Sequence, residues 1–167
     1  MALNAYLKLK GQKQGEIKGS VTQKGRENKI AVIAVNHEII SPRDPASGLP
    51  TGKRMHKPMI ITCELDKALP LMYNALVNNE NLPEWELQFW TPQLRATSGA
   101  GTEVQHYTIK LTNANLSAIN FNMLNNKNPE LMKYAETANY SFTYQKIEWL
   151  WNDGGIMAMD DWEAPSA

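Results

Sequence analysis

The segment NYSFTYQKIEWLWNDGGIMAMDDW, residues 139–162, decides the fold class. Tyr140, Phe142 and Tyr144 share one parity, while Ile147, Trp149 and Trp151 share the other. Alternation with period two marks a half-buried strand. A mid-strand bulge that swaps faces reconciles the two halves of 139–151. NDGG at 152–155 reads as a hairpin turn, because Asp-Gly accepts the positive φ angles such turns require. IMAMDDW then pairs back onto the first strand. Residues 164–167 read as a frayed tail behind one domain spanning 1–163.

The same pattern recurs upstream. Leu3, Ala5, Leu7 and Leu9 alternate with Asn4, Tyr6 and Lys8. Ile17 and Val21 suggest a short strand in a polar, glycine-bearing stretch. KIAVIAVNHEII (29–40) is apolar on both faces until Asn36, which predicts a strand covered on both sides. MIITCEL (59–65), WELQFW, EVQHYTIKL and ANLSAINFN add four more. In the last, Leu116 and Ala118 are expected on one face and Ile119 and Phe121 on the other. PQLRATSGAGTE (92–103) reads as a hairpin tip.

PLMYNALVNN (70–79) is the one firm helix, with Met72, Tyr73, Leu76 and Val77 as its apolar stripe. Pro70 at the first helical position puts Leu69 at the N-cap, with Asp66 compensating near the positive end of the dipole. NPELMKYA (128–135) suggests a second, short helix. Eight to ten strands, one flanking helix and no internal repeat predict a mainly β fold: a compact barrel or sandwich of two sheets with the helix at its side.

The 167 residues suit one domain. Lys plus Arg number 17 and Asp plus Glu 17, so net charge is zero and no nucleic-acid or anionic-membrane footprint results. No apolar stretch approaches the roughly 18 residues of a membrane span, so no stable membrane insertion is expected. The N-terminus alternates like a strand, and no signal peptide is expected. The one cysteine, Cys63, makes an intramolecular disulfide impossible and suits a reducing compartment.

Between the strands ending at Ile40 and starting near Met59 lies SPRDPASGLPTGKR, residues 41–54. Long loops in small domains are usually functional or disordered. Pro42, Pro45 and Pro50 restrict φ and lower the entropy lost on docking. The segment is either a preshaped arm or a mobile surface loop.

Reactive chemistry is hard to find. His37, His56 and His106 are scattered without zinc-like spacing. Asp160, Asp161 and Glu163 read as a solvated acidic end. Cys63 sits in an apolar strand, where an inert thiol is expected. SGAGT lacks the lysine and the following helix of a phosphate loop. Trp149 and Trp151 fit base stacking in an OB-like barrel or, more simply, core or subunit packing. The residues predict no enzyme, no metal and no cofactor. They also fit a stand-alone small β-barrel that binds a small ligand or single-stranded nucleic acid.

Five segments, in order, carry a resemblance over essentially the whole chain: AYLKLKG; GEIKGSVTQKGRENKIAVIAVNHEI; DPASGLPTGKRMHKPMIITCELDKALPLMYNAL; TEVQHYTIKLTNANLSAIN; and SFTYQKIEWLWNDGGIMAMDDWE. His56-Lys57-Pro58, the run from Asp66 to Pro70 and the KIEWLWNDG hairpin weigh most. Together they resemble the haemolysin-coregulated protein (Hcp) family, the tube subunits of bacterial type VI secretion. Relatives commonly carry lysine where this chain has Cys63 and serine where it has Leu69, and longer ones add a toxin domain for which this chain has no room. The resemblance implies a β-barrel whose six copies form a ring. Rings stack into a hollow tube inside a contractile sheath, tipped by the VgrG spike, with small effector proteins in the lumen. It implies a bacterial cytoplasmic protein later secreted to the extracellular space or a target cell. It also implies that the loop reaches the adjacent subunit or ring. Arg43, Asp44, Pro45, Pro50, Lys53 and Arg54 are then the expected ring-stacking residues, and Asn36 and Glu38 the lumen-facing ones.

Overall fold

The computed structural model describes residues 4–92 and 103–163. Twelve strands and one helix follow in chain order: β1 (Ala5–Gly11), β2 (Gly15–Ile17), β3 (Ile30–Asn36), β4 (Ile39–Ile40), β5 (Met55–His56), β6 (Met59–Glu64), α1 (Leu69–Val77), β7 (Glu84–Pro92), β8 (Glu103–Thr112), β9 (Asn115–Asn122), β10 (Thr137–Thr143), β11 (Lys146–Trp151) and β12 (Ile156–Asp161). Ten strands form one antiparallel sheet in the order β12-β11-β8-β7-β1-β3-β6-β10-β9, with β2 on β1; β4 and β5 form a separate ribbon. The mainly β fold with one helix is the one the alternation predicts.

The long sheet curls on itself. Trp85 of β7 meets Phe142 of β10 at 5.4 Å between ring centroids, although three strands separate them along the sheet. Leu7, Leu9, Ile30, Ile61, Leu87, Leu111, Tyr140 and Ile147 fill the interior between the two halves. Burying each such side chain contributes about 1.5–3 kcal/mol. Cys63 lies in this interior, and burial first, then the Asp66 charge, pushes its thiol up to about 12. It is an inert core residue, as expected.

Several local expectations give way. Segment 139–151 is two strands rather than one bulged strand: β10 pairs with β6 and β9, whereas β11 pairs with β8 and β12. The chain turns a corner at Tyr144–Gln145, and that corner swaps the inward parity. The NDGG turn uses positive φ at Gly154 (83°) and Gly155 (66°), not at Asp153. β3 is not covered on both sides. A bulge between Val32 and Ala34 leaves Val32 and Val35 packed inward and Ile33 54% exposed, so one face is open despite its apolar sequence. A second irregularity, where Phe142 meets Leu116 and Ser141 meets Ala118, turns both Leu116 and Ile119 toward the core.

Helix α1 is capped by Ala68 rather than Leu69, with no side-chain cap bond. Asp66 accepts from the Ala68 amide and from both the amide and hydroxyl of Ser20, tying the helix start to the loop before β3. The buried stripe is Leu69, Met72 and Ala75, while Tyr73 and Val77 stand exposed. Segment 128–135 forms turns and no helix, with the Asn128 side chain accepting from Glu130. Val21 lies outside β2. The hairpin predicted at 92–103 pairs as far as Pro92–Glu103, and its tip lies outside the described residues.

Two polar devices hold the perimeter. Glu80, almost fully buried, accepts from the amides of Lys13 and Gln14 and from the Gln14 side chain. Burial raises its pKa, but these hydrogen bonds outweigh it and hold the carboxyl below the usual range. The segment 18–29 forms a strap over the outer face of β1 and β7. Gly19 permits it, because a Cβ there would lie 2.3 Å from the Lys29 carbonyl oxygen. Beneath the strap, the Arg26 guanidinium lies 4.4 Å from the Trp90 ring centroid and 5.3 Å from that of Tyr6, and pairs with Glu103.

Candidate functional site: the projecting arm and the cluster at its base

The chain 41–54 is an ordered hairpin arm. Its base is the β4–β5 ribbon, where Ile39 faces His56 and Ile40 faces Met55. Further out, Arg43 bridges Pro50, and Thr51 donates to the Pro42 carbonyl at 3.0 Å. At the tip the Asp44 amide donates to Leu49 and the Gly48 amide to Asp44, both at 2.8 Å. The Asp44 carboxylate accepts from the Ser47 hydroxyl and from the amides of Ala46 and Ser47, which holds its pKa below the ordinary value. The arm is therefore shaped by its own hydrogen bonds although most of it is exposed. Arg43, Pro45, Pro50 and Lys53 lie open to solvent.

Arg54 points the other way. Its Nε donates to Asp160, and its guanidinium also reaches the Asp161 carbonyl at 2.8 Å. The pair belongs to a larger cluster. Tyr144, at the corner between β10 and β11, places its hydroxyl 2.7 Å from His37 Nε2 and 2.8 Å from His56 Nδ1. His56 Nε2 lies 2.7 Å from Asp160. The Trp162 ring packs 5.5 Å from that of His56. Histidines expected to be scattered therefore converge in two cases of three, and the acidic end expected to be solvated supplies Asp160 to the same cluster. Arg54's hydrogen bond lowers the pKa of Asp160 against the effect of burial, and His56 adds to it. Burial first, then His56, lowers that of His37. Burial and the Asp160 charge raise that of Tyr144.

Asn36 ends β3 opposite Ile60 and is exposed. Glu38 is also exposed and is tied to Lys57, whose Nζ lies 2.7 Å away. These two lie at the foot of the arm, beside the cluster but outside it.

The outer faces of the two halves of the sheet differ in chemistry. Across β1, β7, β8 and β11 one register row reads Lys8–Glu86–Lys110–Glu148, alternating in sign. With Lys10, Glu16 and Glu84 it lines an open groove of about 500 Å³. Across β9, β10, β6 and β3 two rows read Asn120–Asn139–Thr62–Ala34 and Ala118–Ser141–Ile60–Asn36, without a charge, and the next, Asn122–Thr137–Glu64, ends in a single carboxylate.

Among the described residues no three His, Cys, Asp or Glu side chains are placed to hold a metal ion. No described helix is long and apolar enough to cross a membrane. Fold and site together define a β-structural protein whose distinctive features are an arm, two sheet edges and two contrasting faces. Residues 6–151 match the family described as "Type VI secretion system effector, Hcp". The chain is 39% identical over 176 aligned positions to the "Major exported protein" of Pseudomonas aeruginosa, covering all of this chain and 99% of that one. Among solved structures, one described as Hcp protein superposes with a TM-score of 0.84 at 31% identity, over 98% of this chain and all of that one. Hcp1 of the E. coli EAEC 042 pathovar gives 0.82 at 30% identity, over 96% and 99%. The secreted protein Hcp3 of Pseudomonas aeruginosa gives 0.73 at 32%, over 98% and 100%. The chain belongs to the Hcp family of the type VI secretion system.

Proposed function

We propose that this chain is the tube subunit of a type VI secretion system: rings of six identical copies stack into a hollow tube, which sheath contraction expels. The observation that carries this reading is the pair of sheet edges, β12 and β9, that have no strand partner on their outer side among the described residues. β12 exposes Ile156, Met157 and Met159, and β9 exposes Phe121 with Met123 just beyond it. Open edges lined by apolar side chains are a hazard in a lone monomer. A head-to-tail contact that closes by rotation covers both and makes a ring.

The arm then serves stacking, with Arg43, Asp44, Pro45, Pro50 and Lys53 toward the next ring and Arg54 as its anchor. The amide-rich face, with Asn36 in its last row and Glu38 beside it, is the lumen wall. Amides and hydroxyls there offer hydrogen bonds to small effector proteins of either charge sign. The checkerboard face turns outward to the contractile sheath, and the VgrG spike sits at the tube's end. The exported and secreted relatives support passage from the bacterial cytoplasm to the outside, by the system's own contraction rather than a membrane-inserted route. This role needs neither catalysis nor a cofactor.

Changing Met157 and Met159 together to glutamate tests the edge contact. Like charges placed at a subunit contact oppose association, so light scattering should report folded monomers. Rings that persist with both changes in place would contradict the β12 contact.

A further inference from the structure

We propose that the His37–Tyr144–His56 relay is a proton latch that holds the arm at neutral pH and releases it when both imidazoles carry a proton. The argument starts from the valence of one oxygen. His56 Nε2 lies against the Asp160 carboxylate, so it carries a hydrogen and donates. With both rings neutral, the Tyr144 hydroxyl donates to His56 Nδ1 and accepts from His37 Nε2, and every contact is satisfied. With one proton added to His56, Nδ1 donates instead, the hydroxyl reverses, and His37 accepts through its other tautomer. With both rings protonated, two N–H groups converge on the Tyr144 oxygen. Its own hydrogen then has no acceptor in the relay, and two cations face each other across one atom.

The surrounding charges do not relieve this. From the arm side the cluster receives Arg54, a cation, and Lys57, whose ammonium is bound to Glu38. From β12 it receives Asp160, already shared by Arg54 and His56, and the backbone carbonyl of Asp161. No carboxylate is in hydrogen-bonding contact with His37 among the described residues. Trp162 closes the side over His56 and Tyr144 with an aromatic ring.

The sign follows. His37 is held below its ordinary value in the docked arm, so the released arm binds more protons. Docking is therefore fully favoured above about pH 6.5 and weakens as pH falls below that value. Asp160, held below its ordinary 3.8, keeps its charge throughout that window and loses it only under stronger acid. His37 acts first. The consequence for assembly rests on the stacking role proposed above: acid frees the arm, and stacks fall apart into rings.

Hydrogen exchange on the full chain tests the latch at about pH 7.5 and about pH 5.5, with labelling times scaled to intrinsic exchange. The probes are the arm-base amides, above all Lys57, which donates to the Glu38 carbonyl. Protection there should fall at least several-fold in acid for the native chain. His37→Gln keeps a donor toward Tyr144 but cannot titrate, and its protection should be the same at both pH values. Unchanged protection in the native chain, or an equal loss in His37→Gln, overturns the latch. Should His37→Gln leave the arm unprotected even at neutral pH, histidine NMR on the native chain decides. The loss of protection must then track the histidine titrations, and a midpoint in the carboxylate range overturns the proposal. Light scattering on the same samples separates the two ideas, because an arm released while stacks persist overturns the stacking role and leaves the latch standing.

Discussion

Replacing Arg26 with alanine is expected to destabilise the folded chain by about 3 kcal/mol, and the strap should detach first. The guanidinium is sandwiched between the strap and the rings of Tyr6 and Trp90, pairs with Glu103, and donates to the Tyr6 hydroxyl at 3.3 Å. Burial opposes its charge, but the hydrogen bonds it donates to Glu103 and Tyr6 outweigh that and raise its pKa. Removing one partner of a buried pair costs about 3–5 kcal/mol, because the other charge is left uncompensated. The strap is a single layer of chain with solvent close by, so the lower end of that range applies. Beneath it run Tyr6 and Gln88, buried and hydrogen-bonded to Gln23, Arg26 and Lys29 of the strap. For a domain of this size the loss corresponds to a fall in Tm of about 6–12 °C. Arg26→Lys should recover only part of it, since an ammonium neither stacks flat nor presents a fork to the carboxylate. Urea unfolding of the two variants measures the difference. A loss under about 1 kcal/mol for Arg26→Ala would mean that the strap is held by something else.

Deleting residues 44–52 should leave single rings intact and abolish long stacks. The deleted part is the distal arm, whose backbone hydrogen bonds run within the arm and reach beyond 44–52 only to Pro42 and Arg43. What remains is the base: the β4–β5 ribbon, the Glu38–Lys57 pair, and the Arg54–Asp160 contact that pins the ribbon to β12. None of the deleted residues is buried, so the interior is untouched. Shortening the loop costs little in itself, since each halving of length changes closure entropy by only about 0.6 kcal/mol. Size-exclusion chromatography and micrographs of the deletion variant give the answer. Unfolded monomer would show instead that the arm belongs to the core.

The strands were legible because one-sided burial writes itself as alternation. β1, β7, β8 and β10 follow their parity nearly residue by residue. β3 departs from this alternation because of the extra residue at its bulge. IAVIAV carries inward residues at 30, 32 and 35, so strict alternation fails and the segment resembles a strand apolar on both faces. The corner at Tyr144 has the same effect in 139–151, where a parity change is equally consistent with a bulge and with a break. Nothing local distinguishes them, because the choice depends on which neighbours each half pairs with.

The three prolines mark the arm as a preshaped loop, but they do not fix its hairpin register. Walking back residue by residue from Arg43–Pro50 would set His37 opposite His56, whereas the ribbon sets Ile39 there, and nothing local in the sequence marks that two-residue offset. Asp160 and Tyr144 were not legible either, since they join the cluster from about 100 residues away through the sheet. Arg26 and Glu80 were silent for a different reason. A charged residue in a polar stretch reads as solvated unless one knows what folds over it.

Electron micrographs of the purified chain, taken across a range of concentrations, test the central claim most directly. Assembly by joined edges predicts annular particles with an open centre and a mass near six times the 18.8 kDa of one chain. Featureless particles of monomer size at every concentration would contradict it.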